Sequence, residues 1–389
     1  MRKIIMVGSQ DEIFEELPPD DVELYVIQPE KLIGPALKAA AAAVYPVEGF
    51  TTEAVLNGAR HFCDRFAIDA LFSFTEYGLL PAAEAAQQLG LPGIDLQVTE
   101  LCRNKWKMRQ ALSDTDFRLP FKMAETRHEV TVFAQENGFP LVLKDPSGVG
   151  SINVKICHSL TEAHDFFDRL MAEAYRYVLL EKYVAGIEYS VETLSLRGRH
   201  QLIGITDKRL APDSLVEQCH IYPAEVPAMA RVERTIALLL DTIGHLHGPM
   251  HIEIKIEGEA IHLIEINNRP GGDYIWDMVN KVSGVNLVAE TLRYAFEGEP
   301  DEAQRQARRR YGAMAYVALF QPLLPTLIDE KWDGKLPLER VQCSSLTRTG
   351  AISNSFERPG FILVGEKNRI ALDAALPALA SWIATQSER

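Results

Sequence analysis

The sequence predicts a mixed chain, α/β at its start and α+β through its middle, divided into domains. Three observations carry that reading. At 389 residues the chain exceeds what one hydrophobic core ordinarily organises and has room for two or three. Residues 1 to about 95 alternate short apolar runs with helix-like stretches, the rhythm of a parallel sheet flanked by helices. Beyond Leu91-Pro92-Gly93 the pattern turns to strand and helix modules broken by glycine turns, including one long alternating hairpin.

In the first domain, 1–95, strands are expected at Ile4 to Val7, Leu24 to Ile27 and Ala70 to Phe74. Helices are expected at Leu32 to Ala43, Thr52 to Phe66 and Leu80 to Leu89. The first strand ends in Gly8-Ser9-Gln10 without the three-glycine dinucleotide fingerprint, so an NAD role is not expected. The central domain, 96–300, opens on a helix from Val98 to Leu112 carrying Asn104, Lys105 and Lys107. Its first module, a lid at about 120–195, is followed by a second with strands at Gln201 to Asp207, a helix at Arg231 to Leu246 and a hairpin from Met250 to Asn267. The polar stretch Glu297 to Arg310 marks a boundary, with charges of both signs. Residues 311–389 form a small C-terminal domain with strands at Ala313 to Phe320 and Phe361 to Val364 and a last helix from Asp373 to Ile383.

Composition narrows the partners. With 40 Lys and Arg against 54 Asp and Glu the net charge is -14, and no long basic run interrupts it, which argues against nucleic acid or an anionic membrane. The five cysteines are scattered, none at the spacing of a redox pair or zinc knuckle, as expected for a reducing, cytoplasmic setting. The apolar start, Met1 to Val7, is too short for a signal-peptide core and reads as a strand. No apolar stretch approaches the ~20 residues of a membrane-crossing helix.

The hairpin is the richest segment. With a strand period of two, His251, Glu253 and Lys255 share one face while Ile252, Ile254 and Ile256 face the other. On the return limb Glu265 and Asn267 share a face. An odd loop such as Glu257 to Glu259 would turn both polar sets to the same side, so that two carboxylates and an amide converge. Converging carboxylates repel unless a cation lies between them. Hard oxygen ligands select magnesium or calcium, and substrate phosphates completing the shell favour magnesium. A solvated amphipathic hairpin is the alternative reading.

Upstream, the strand Leu141 to Lys144 ends in a lysine and runs into Asp145-Pro146-Ser147-Gly148-Val149-Gly150-Ser151. Glycines let backbone N–H groups approach phosphate oxygens and the lysine neutralises their charge, although the order is not that of a Walker loop. A plain turn between strands is the alternative. Next, Glu181-Lys182-Tyr183-Val184 and Glu188 follow a strand, where backbone groups and carboxylates could bind an adenine edge and ribose hydroxyls.

Taken in this order, the pieces resemble the ATP-grasp family over about residues 104 to 298, most specifically in Glu265-Ile266-Asn267-Asn268-Arg269-Pro270-Gly271-Gly272. The resemblance implies an ATP-grasp architecture, with an N-terminal parallel α/β domain, a central two-part nucleotide-binding module and a small C-terminal domain. It implies that Lys105, Lys144 and the loop with Ser147, Gly148, Gly150 and Ser151 bind ATP phosphates. Glu181 to Val184 would hold adenine and Glu188 ribose. Glu253, Glu265 and Asn267 would hold Mg2+, and Arg269 would be catalytic, stabilising the transferring phosphoryl group. In two places the chain departs from the family: Asn104 stands where an acidic residue is usual, and Asp145 where proline is frequent.

The segments Ile205 to Lys208, Glu217 to Ala224 and Arg269 to Asp273 resemble those of biosynthetic ligases that join two amino acids or amino-acid-like acids, including makers of dipeptide antibiotics. This implies an ADP-forming carboxylate-amine ligase working through an acyl phosphate on small-molecule acid and amine substrates, in an assembly that allows a homodimer. Glu217, His220, Tyr274 and Trp276 are candidate substrate residues, with plain packing the alternative for each. A transition-metal site at His245, His247 and His251 is disfavoured by the Gly248-Pro249 break and the absence of a nearby thiolate in sequence. Another branch, a purine-biosynthesis or biotin-carboxylase-like enzyme, remains an alternative, as does a non-catalytic nucleotide-binding module. Glu253, Glu265, Asn267 and Arg269 occurring together count against the last.

Overall fold

The computed structural model describes residues 1–389 except 174, 213, 228, 323–337, 344–351, 353 and 388–389, and the described strands form three sheets. The first comprises β1 (Arg2–Val7), β2 (Val22–Pro29), β3 (Ala41–Val47) and β4 (Ala70–Ser73), all parallel, in the order β3-β2-β1-β4. Along β1, Ile4 and Met6 enter one apolar cluster and Ile5 and Val7 another, so both faces are buried, as a parallel sheet requires. Helices Thr52–Cys63 and Leu79–Leu89 cover one face, and helix Leu287–Tyr294, arriving from far downstream, packs on the other.

Two helix expectations are corrected. The stretch Leu32 to Ala43 is not one helix: the helix is Pro35–Ala40, and Ala41–Val47 is the edge strand β3 paired with β2. The alanines favour helix, but Val44, Tyr45 and Val47 fit a pleated edge, and pairing overrides a weak local preference. The stretch Val98 to Leu112 is split into Leu96–Arg103 and Lys105–Ala111 at Asn104, whose extended backbone (φ -141°) and side chain, accepting from Lys107 N–H, cap the second helix. That break places Lys105 in a first turn, where its N–H donates to the Pro146 carbonyl at 2.8 Å.

The second sheet is antiparallel, with β5 (Phe121–Ala124), β6 (Leu141–Lys144), β7 (Val154–Cys157) and β8 (Val178–Lys182) in the order β5-β8-β6-β7. Helices Arg127–Asn137 and Leu160–Ala172 back it through Val130, Phe133, Phe166 and Leu170. The third sheet has eight antiparallel strands: β9 (Ile187–Leu196), β10 (Arg199–Leu210), β11 (Glu217–Tyr222), β12 (His247–Glu257), β13 (Ala260–Asn267), β14 (Ala313–Leu319), β15 (Leu338–Cys343) and β16 (Gly360–Glu366). Their order is β13-β12-β9-β10-β11-β14-β16-β15, so the strands after residue 311 continue the central sheet through the β11–β14 pair.

The β12–β13 hairpin turns on two residues, Gly258 (φ +57°) and Glu259, with Glu257 opposite Ala260. That even turn, not the odd loop expected, would by itself set Glu253 opposite Ile264. A bulge between Glu253 and Ile254 restores the parity, bringing Glu253 opposite Glu265 and His251 opposite Asn267. Ile252, Ile254 and Ile266 point the other way, into a core with helix Met229–Ile243. Among the described residues no helix is long and apolar enough to cross a membrane.

Candidate active site

The polar face of the central eight-stranded sheet, the four-stranded antiparallel (lid) sheet β5–β8 and first-domain residues such as Glu76 line a cleft of about 560 Å3. Its floor follows from register: Glu253 on β12 lies opposite Glu265 on one side and Ser190 of β9 on the other, while Lys255 lies opposite Glu188. The Lys208 ammonium, from β10, sits 2.8 Å from Glu188, 2.8 Å from Glu253 and 3.5 Å from Glu217. Burial disfavours its charge, but Glu253, Glu188 and Glu217 raise it well above the ordinary lysine range. Burial likewise opposes ionisation of Glu253, yet Lys208 and His251 hold that carboxyl well below the usual range. Glu265 accepts from Asn267 Nδ2 at 3.4 Å and lies 3.1 Å from Lys105 Nζ. Two carboxylates and an amide thus share one face, a set of hard oxygens suited to a small divalent cation.

At the lid end, Glu181 bridges two cations: Oε2 is 2.7 Å from Lys144 Nζ and Oε1 is 2.8 Å from Arg109 Nε. Burial opposes its charge, and Arg109 and Lys144 bring it down to about 2. With its carboxylate so engaged, what this segment offers a base edge is the backbone of Lys182 to Val184. Lys255 covers the Tyr183 ring at 4.8 Å and donates to the Val184 carbonyl. In the glycine loop, Asp145 accepts from Ser147 N–H at 2.9 Å, a local turn that proline could not make. Gly150 and Ser151 both take left-handed backbone (φ +62° and +61°), and Lys105 Nζ donates to the Gly148 carbonyl at 2.7 Å.

Arg269 is desolvated, which lowers its pKa; it pairs with Glu76, which also meets Arg103. Beyond it the chain turns through Asp273 and Tyr274, both left-handed (φ +50° and +57°). Asp273 receives His220 Nε2 at 3.0 Å and both Arg358 Nη atoms, at 2.8 and 2.6 Å. Burial would raise its carboxyl, but His220 and Arg358 hold it well below the usual range. The Ser355 hydroxyl donates to Glu217. Trp276 lines the cleft, and its indole N–H is buried with no partner among the described residues.

Two candidates do not line the cleft. Tyr274 directs its hydroxyl to Glu12 at 3.0 Å and packs its ring on Phe361, so it supports the wall instead; Ser147 also lies outside the lining. The three histidines have separate partners: His245 faces the Gly248 carbonyl, His247 accepts from the Arg197 N–H, and His251 pairs with Glu192.

A model of the ATP-grasp N-terminal domain matches residues 22–93, and one of the ATP-grasp domain matches 137–277, the span holding the lid lysine, the glycine loop and the carboxylate hairpin. The chain belongs to the ATP-grasp family. Among curated relatives, protein y4rH of Sinorhizobium fredii, uncharacterized, is 29% identical over 254 residues, 61% of this chain and 52% of that one. Alanine-anticapsin ligase of Bacillus amyloliquefaciens is 25% identical over 347 residues, 80% of this chain and 69% of that one. Carnosine synthase 1 of Homo sapiens is 24% identical over 281 residues, 64% of this chain and 34% of that one. The chain therefore spans about half of y4rH and a third of the synthase. The crystal structure of an L-amino acid ligase from Bacillus licheniformis superposes with a TM-score of 0.78 at 20% identity, over 98% of this chain and 97% of that one. That of N5-carboxyaminoimidazole synthase from Aspergillus clavatus gives 0.75 at 15% identity, over 99% of both. Both share the ATP-grasp fold seen here.

Within this ATP-grasp frame, sequence reading missed Glu76, Arg103, Arg109, Lys208 and Arg358. For Lys208 a signal existed, since strand alternation puts it on the face of Thr206, opposite Ser190. The others meet their partners only through tertiary docking.

Proposed function

We propose that the chain is an ATP-dependent, ADP-forming ligase joining a carboxylate to an amine, with amino acids or amino-acid-like compounds as both substrates. The observation that carries this is one cleft lined both by Glu253, Glu265, Asn267 and Arg269 and by Lys105, Lys144 and the glycine loop, with Lys105 reaching Glu265 at 3.1 Å and the Gly148 carbonyl at 2.7 Å. ATP would lie in this cleft, its phosphates held by Lys105, Lys144 and the amides of Val149 to Ser151, its base by the backbone of Lys182 to Val184 and its ribose by Glu188. Glu253, Glu265 and Asn267 would hold magnesium, which when bound neutralises phosphate charge.

The acid's carboxylate oxygen attacks the γ-phosphorus, the bond to the β-γ bridging oxygen breaks, and an acyl phosphate and ADP result. Arg269 neutralises charge on the transferring group, and the fixed cleft supplies orientation. The amine nitrogen then attacks the acyl carbon, phosphate leaves, and the nitrogen gives up a proton. Glu217, His220, Asp273 and Trp276 also line the cleft, and we assign them to the second substrate. The similarity to alanine-anticapsin ligase supports amino acids as substrates.

Incubation with ATP, magnesium and a panel of amino acid pairs tests this, with products read by mass spectrometry. Pair-dependent release of phosphate is expected, and AMP with pyrophosphate would sink the reading. Because a biotin carboxylase domain solved with MgADP and bicarbonate shares this fold, a bicarbonate arm belongs in the panel. ATP hydrolysis that needs bicarbonate and no amino acid would favour that branch.

A further inference from the structure

Glu192 is a fully buried carboxylate that the chemistry above does not use. It stands on β9 directly opposite His251 on β12. One oxygen pairs with His251 Nδ1, and the other accepts from the Gly271 N–H at 3.2 Å. The His251 ring turns its second nitrogen toward Glu253, 3.7 Å from Oε1. Gly271 lies two residues beyond Arg269, and a Cβ there would stand 2.8 Å from the Glu192 oxygen and 2.9 Å from His251 Nδ1. Glycine is therefore what lets that loop approach the pair. A buried ion pair is poor value for stability, since apolar residues of the same volume usually do as well, so its use here is better sought in placement.

We propose that Glu192 is a positioning residue of the reaction centre: its carboxylate clamps the His251 ring and the Gly271 amide, and so fixes Glu253 and Arg269 relative to each other. What those two residues then do rests on the ligase reading. The clamp itself is a statement about cation binding and loop placement, and can be tested without acid or amine.

The probe is Mn2+ bound to the full chain in the presence of ADP, followed by electron paramagnetic resonance, with ADP affinity in metal-free buffer and melting temperature measured alongside. Glu192→Gln is expected to weaken Mn2+ by about 10- to 100-fold, the usual cost of removing a group that orients a ligand, with metal-free ADP affinity unchanged. Gly271→Ala, which pushes a methyl group into the pair from outside, is expected to move Mn2+ affinity in the same direction. If Glu192→Gln does not fold, Gly271→Ala and His251→Gln decide. A lower melting temperature with wild-type Mn2+ affinity in the folded protein would make the role merely structural and overturn the proposal. If the wild type ligates no pair while the variants lose Mn2+, the ligase reading falls and the clamp stands; if the wild type ligates and the variants match it in both assays, only the clamp falls.

Discussion

Arg109 donates from Nε to Glu181 at 2.8 Å while its two Nη groups donate to the carbonyls of Leu263 and Ile264 at 3.0 and 3.1 Å. One buried guanidinium thus ties the lid strand β8 to the hairpin at its bulge, where the ladder is disrupted and carbonyls need a partner. Arg109→Met would leave Glu181 with Lys144 alone and strand both carbonyls. Such a break in a buried pair should cost about 3–5 kcal/mol in urea unfolding, and Arg109→Lys, lacking the fork, should recover only part of it. A loss below about 1 kcal/mol, the worth of an exposed pair, would contradict this account.

Arg269 pairs with Glu76 from the first domain, and Arg103 remains to occupy that carboxylate if Arg269 is removed. Arg269→Ala should therefore fold and bind ADP as the wild type does. Its turnover should fall by about 100- to 1,000-fold, the usual loss when a donor to developing charge is deleted. Phosphate release and an ADP titration separate the two effects, and unchanged turnover would refute the role given to Arg269.

How much of this was legible depended on the range over which each interaction acts. The convergence of Glu253, Glu265 and Asn267 needs both the period of two within the hairpin, which local pattern shows, and the bulge between Glu253 and Ile254, which it does not. The bulge that sets its parity has no compositional mark, and the odd loop was a wrong reason for a correct result. Helix ends followed the same rule: Asn104 is a strong capping residue, but Lys105 to Ala111 continues the helical pattern and hid the break. Arg269 and Glu76 are 193 residues apart, and Arg358 and Asp273 are 85 apart. Nothing local in either partner announces the other, because the pairing is decided by how the sheets dock.

Lys208 stands among Glu188, Glu217 and Glu253, and its ammonium offsets their mutual repulsion. Lys208→Met would leave three carboxylates around an apolar tip, which should destabilise the ligand-free protein by about 3–5 kcal/mol. Magnesium with ADP binds only the folded state and would supply positive charge beside Glu253, so it should restore more stability to the variant than it adds to the wild type. Melting with and without magnesium and ADP checks this. Equal shifts in the two proteins would mean that Lys208 and the cation do not share those carboxylates.

His245 gives a titration at a residue that does not line the cleft. It is buried against the Gly248 carbonyl at 3.2 Å, and burial, the largest cause, pushes its ring down to about 4 from an ordinary 6.5. A ring with a depressed pKa binds fewer protons folded than unfolded between those values. Its contribution to stability is therefore complete above the unfolded value, 6.5, and is lost as the pH falls toward 4. The full effect is about 3 kcal/mol, from the size of the shift. His245→Gln cannot take up that proton, so on acidification from about pH 7 to about pH 4 it should lose less stability than the wild type by that amount. Urea unfolding of both proteins across this range measures the difference directly. If the gap between them stays constant with pH, His245 takes up its proton equally in the folded and the unfolded protein and the burial argument fails.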